Sequence, residues 1–85
     1  MIEAIGEKIA VITVYDPAKK GTMPWRLKWR GKVYHVLKLG YHHRVRQGRV
    51  LVHIFTVSTS TLSFKLRFDT ESLLWTLEEI ADGQP

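Results

Sequence analysis

Thr61-Leu-Ser-Phe-Lys-Leu-Arg-Phe-Asp69 alternates apolar and polar residues without a break. Leu62, Phe64, Leu66 and Phe68 share one parity, and Ser63, Lys65 and Arg67 share the other. Successive side chains leave a strand on opposite faces, so a period of two marks a strand with one face in the core and one in water. Trp25 to Arg30 repeats the pattern, with Trp25, Leu27 and Trp29 set against Arg26, Lys28 and Arg30. These two stretches set the expectation of an all-β fold.

The remaining segments extend it. Lys8 to Tyr15 is rich in β-branched residues and stops at Asp16-Pro17, where proline cannot continue a ladder. Pro17 to Thr22, with Lys19, Lys20 and Gly21, reads as a polar loop. Gly31 suits a turn or bulge, since glycine accepts positive φ without steric cost. Lys32 to Arg46 reads as one long segment, with Val33, Leu37, Leu39, Tyr41 and Val45 on one parity and a bulge or bend at Gly40. Arg46-Gln47-Gly48-Arg49 is expected to turn a hairpin with Gly48 left-handed. Val50 to Val57 is apolar on both parities, as a central strand would be, and Ser58-Thr59-Ser60 turns the chain again.

Ser72 to Ala81 fits two readings. Leu73, Leu74, Leu77, Ile80 and Ala81 make a helical stripe that Asp69 or Thr70 could cap; Trp75, Leu77 and Glu79 make a strand. Acids at Glu78 and Glu79 would oppose a helix dipole, which favours the strand. Asp82-Gly83-Gln84-Pro85 is expected to fray. The expectation is one β domain over residues 1–85, ordered from 8 to 81, built as a five- or six-stranded antiparallel barrel of SH3-like or OB-like form.

Eighty-five residues suffice for one core, and 45% of them are hydrophobic. With no cysteine, disulfides, thiolate metal sites and thiol nucleophiles are excluded. Acids stand where a signal peptide would be basic, and no stretch approaches the roughly 20 apolar residues of a membrane helix. A cytoplasmic location with no membrane partner is therefore expected.

Charge is segregated. Of 13 Lys and Arg residues, all except Lys8 lie between Lys19 and Arg67, a span without a single acid. Glu3, Glu7 and Asp16 precede that block; Asp69, Glu71, Glu78, Glu79 and Asp82 follow it. A block of one sign attracts polyanions. The competing arrangement folds the acidic ends back beside the basic middle and neutralises it.

The candidate nucleic-acid-binding residues are Arg26, Lys28, Arg30, Lys65 and Arg67 on their strand faces, with Arg44, Arg46 and Arg49 at one hairpin end. If the first two groups lie on neighbouring strands, five cations share one surface suited to phosphates. Tyr34, Tyr41 or Trp25, where exposed, could stack bases. Of the three tryptophans, Trp29 and Trp75 read as core, and Trp25, beside Pro24 at a strand start, as the exposed one.

The four histidines support neither a metal site nor acid–base catalysis. His42 and His43 would point to opposite faces, and His35 and His43 would stand roughly 27 Å apart on an extended strand. A metal site contributed by His43 and His53 across the hairpin is the alternative reading. There is no G-x-S-x-G elbow, P-loop or G-x-G-x-x-G. No cofactor is expected and no catalytic residue is assigned.

Trp29-Arg-Gly-Lys-Val-Tyr-His-Val36 resembles the W-R-G-(R/K)-x-Y-x-V signature of a family of short uncharacterised bacterial domains. Their later hydrophobic strand ending in an acid is similar to Phe64 to Asp69, and their W-x-L-x-x-I/V strand to Trp75 to Ile80. Members also form C-terminal extensions of some translesion-type DNA polymerases. The resemblance implies a final strand and an association with DNA repair or replication machinery. It assigns no functional residue, and it does not extend to Arg49–Val57 or to the N-terminal strand.

The expectation is a non-enzymatic basic module that binds DNA or RNA or sits beside a nucleic-acid enzyme. The alternative is a protein-interaction or structural barrel, as a monomer or a homodimer, with Leu51, Phe55 and Val57 as its interface if they are exposed.

Overall fold

A computed structural model describes residues 1–18 and 21–82. Lys19 and Lys20 of the predicted loop, and Gly83 to Pro85 of the predicted frayed end, lie outside the described residues. The elements are all strands: β1 (Ile2–Asp16), β2 (Gly21–Trp29), β3 (Lys32–His35), β4 (Lys38–Gln47), β5 (Val50–Ser58), β6 (Leu62–Asp69) and β7 (Trp75–Asp82). They form one antiparallel sheet of order β3-β2-β1-β7-β6-β5-β4. The all-β, barrel-like expectation holds, with seven strands instead of five or six.

The order is a ring. Apart from β3 and β4, consecutive strands pair, and β1 pairs with β7, leaving β3 and β4 as the two edges. Val36 and Leu37 span that gap: Val36 N donates to Trp25 O at 3.0 Å, and Leu37 N donates to Ser58 O at 2.8 Å. Adjacent residues thus bond to β2 and to β5, the strands beside the two edges, so the sheet must curl until its ends meet at this corner. Beyond the corner, the first half of β2 faces β4 across an open seam.

Bulges bend the strands. One extra residue enters β1 around Gly6, whose φ is 72°; Trp25 is extra in β2, Gly40 in β4 and Glu78 in β7. Each adds local twist. Gly40 is the predicted bulge. A Cβ there would stand 3.4 Å from Thr56 O, tighter than most side-chain contacts.

Leu27, Trp29, Phe55, Val57, Phe64, Leu66, Trp75 and Leu77 form the buried cluster inside the curl. β5 lies between β4 and β6 and buries Val52 and Ile54 on its other face, which explains why both of its parities are apolar. Phe55 and Val57, 3% and 0% exposed, are therefore core residues, and Leu51 is half-buried. The interface assigned to these three fails, because Phe55 and Val57 point into the core cluster and Leu51 is half-buried.

Two other expectations change, and the favoured strand at the C-terminal end is met. β1 begins at Ile2, not Lys8, because Ile2 to Ile9 pairs with β7. Lys32–Arg46 is two strands, so its parity breaks: Val33, Leu37 and Tyr41 are exposed, while Tyr34, Val36 and Leu39 pack on the core. Ser72–Ala81 is strand from Trp75, with Trp75 and Leu77 buried and Leu73 and Leu74 exposed.

Candidate nucleic-acid interface

Cross-strand partners in an antiparallel pair share a face, so the register places each candidate cation. Arg26 and Lys28 pair with Ile12 and Ala10 on one side and with His35 and Val33 on the other. Leu27 between them is buried, which puts both cations outside. They flank a shallow apolar groove that includes Ile12 and Val33, 59% and 50% exposed.

Arg30 is committed elsewhere. It donates to Glu7 Oε2 at 2.9 Å, and its guanidinium lies 4.5 Å from the Trp29 ring centroid. Glu7 also accepts from Trp29 Nε1 at 3.2 Å. The Arg30 bond above all, helped by the Trp29 bond, holds the Glu7 carboxyl below its ordinary range. Here an acidic end does fold back onto the basic block.

Lys65 and Arg67 are half-buried on the outer face of β6. Lys65 pairs across the ladder with Glu79, and Arg67 donates to Gln47 Oε1. Two strands, β1 and β7, separate β6 from β2. That is three interstrand steps, about 14 Å along a curved sheet. The five-cation surface that required neighbouring strands does not form.

Arg44 and Arg46 are different. They pair with His53 and Leu51, and His42 pairs with Phe55, so all three β4 side chains project to the core side, where the seam lies open. Both arginines are exposed, as is Arg49 in the Gly48-Arg49 turn. None of the three makes an ion pair among the described residues.

The seam has two ends. Met23, Pro24 and Trp25 face Val36 to Leu39 around a depression of about 450 Å³, with Trp25 51% exposed as expected. At the other end Gly21 and Thr22 of β2 face His42, His43, Arg44, His53 and Phe68 around a cleft of about 540 Å³.

In this cleft His42 Nε2 and His53 Nδ1 lie 2.8 Å apart. The His42 ring stacks on Phe55 at 4.3 Å and 1°. Partial burial, then the positive field of neighbours including Arg44, lowers the pKa of His42; burial and Arg44 do the same for His53. The sequence suggested His43 and His53 as the meeting pair, but His43 pairs with Ile54 on the opposite face. Among the described residues, no group of three metal-ligating side chains converges.

Comparison with known proteins returns no matching family model, no matching curated protein and no matching solved structure.

Proposed function

We propose that this domain is a non-enzymatic module that binds single-stranded nucleic acid along the open seam between β2 and β4. The observation that carries the reading is the exposed row Arg44 and Arg46, continued by Arg49 and without an ion pair among the described residues, beside a seam with aromatic side chains at both ends. Unneutralised arginines bind phosphates and release counterions. Trp25 and Phe68 offer ring faces for bases, a contact that tolerates any sequence. The resemblance around Trp29 to Val36 supports a place beside a DNA-handling enzyme.

The double variant Arg44→Glu/Arg46→Glu tests it in a mobility-shift assay. It should lose binding while keeping its circular dichroism spectrum. Arg26→Glu/Lys28→Glu, on the other face, should weaken binding far less. The reverse ranking would move the interface to the outer face of β2.

A second reading rests on the outer groove. Ile12 and Val33 expose apolar surface between the stems of Arg26 and Lys28, which suits a protein partner or a second copy. Sedimentation of wild type and Ile12→Asp at high concentration tests self-association. A monomer in both cases removes the homodimer.

A further inference from the structure

The cleft at the His42 end of the seam contains a proton-sensitive cluster that nucleic-acid binding does not by itself require. Neutral His42 and His53 satisfy each other, one ring N–H donating to the other ring nitrogen across 2.8 Å. One added proton leaves that bond intact. A second sets two N–H groups against each other, and the pair must open unless an acceptor enters. Arg44, directly across the ladder from His53, adds a permanent positive charge at the same place.

Among the described residues, no neighbouring element supplies an anionic acceptor, and the Thr22 hydroxyl is a neutral one. Phe55 on β5 and Phe68 on β6 are apolar, and β2 contributes Gly21 and Thr22. On β4, Arg46 is a second cation on the same side, and His43, paired with Ile54 on the other face, borders the cleft. Asp16, the ladder partner of Gly21, has Oδ1 accepting the Ala18 amide at 3.0 Å. Among the described residues no carboxylate lines the cleft. Its volume, about 540 Å³, exceeds that of a phosphate and leaves room for the attached nucleoside.

We propose that this cleft binds a phosphate group of a nucleic acid, held by Arg44 and by the His42–His53 pair, which takes up a proton as the phosphate enters. The phosphate oxygens accept from the guanidinium fork and from the ring N–H groups. The proposal rests on the nucleic-acid reading only for what carries the phosphate. Partial burial and Arg44 keep the empty pair neutral near neutral pH, so binding tightens as pH falls.

The test is an NMR titration of the whole domain with inorganic phosphate, and with sulfate, whose charge is constant over this range. It is run near about pH 5.5 and near about pH 7.5, on either side of the histidine range. Affinity for both anions should rise towards low pH, by roughly tenfold per pH unit for each proton taken up. The His42 and His53 ring signals should move together. Arg44→Ala should weaken binding roughly tenfold to a hundredfold at either pH. His42→Gln/His53→Gln keeps polar side chains that do not titrate and should flatten the pH dependence. No binding near pH 5.5, or equal sulfate affinity at both pH values, overturns the proposal.

Oligonucleotides with and without a 5′-phosphate separate terminal from internal phosphates. A preference for the phosphorylated strand assigns the cleft to the strand end, and equal affinity assigns it to the backbone. Strand binding that is indifferent to pH and to the histidine variants removes this proposal and leaves the nucleic-acid reading. Phosphate binding without strand binding does the opposite.

Discussion

Arg30 and Gly31 both take positive φ, 51° and 78°, as the two central positions of a type I′ hairpin require. Gly31 accepts this freely, whereas Gly31→Ala should cost about 1 kcal/mol in urea unfolding, with m unchanged. Glycine was the legible residue of the turn. Nothing in the sequence marks Arg30 as left-handed, and its bond to Glu7 spans 23 positions. The titrating residues carry a second prediction. The folded-state pKa values of His42 and His53 are lowered, so below an unfolded value of about 6.5 the unfolded chain binds more protons. Their stabilising contribution is complete above that pH and is lost as pH falls through the folded values. The melting temperature should therefore decline between neutral pH and about pH 5, less so in His42→Gln/His53→Gln. Asp69 has the same sign in a lower window. The Ser72 and Glu71 amides lower its pKa, so its contribution fades only as pH falls below about 3.9.

Strand β6 was readable because its parity is uninterrupted: Phe64 and Leu66 are 1% and 0% exposed, as its alternation requires. Leu66→Ala should cost about 2–5 kcal/mol in urea unfolding, since core strands flank it on both sides. Strand β2 misleads by one residue. The Trp25 bulge flips the parity after Pro24, so Pro24 and Leu27 are buried while Trp25 and Arg26 are exposed. Trp25→Ala should accordingly change stability by no more than about 0.5 kcal/mol. The same variant should cost about 1–3 kcal/mol in single-strand affinity if the ring stacks a base. Unfolding and binding measured on the same preparation separate the two effects. The β4–β5 hairpin shifts without changing faces. Its turn is Gly48-Arg49 closed by Gln47 and Val50, one residue beyond the expected frame. Both frames put His42, not His43, on the face of His53, and the observed one sets Arg44 directly across the ladder from His53.

At the scale of the whole molecule, the charge segregation visible in the sequence becomes several small groups. Glu7 neutralises Arg30, Lys65 sits opposite Glu79, and β1 and β7 separate β6 from β2. Which strands neighbour each other depends on the β1–β7 pairing, a contact between the chain's two ends that local pattern does not encode. Among the described residues, the cations left without a carboxylate partner at the seam are Lys38, Arg44 and Arg46, and hence the interface should follow β4. The measurement that tests this most directly is a fluorescence-anisotropy titration of the domain against a labelled single strand over a range of salt concentrations. On this account log Kd rises linearly with log salt, and Arg44→Glu/Arg46→Glu lowers the slope by about 1.4, two phosphate contacts at about 0.7 each. Absence of binding at low salt, or a slope the double variant leaves unchanged, would contradict it.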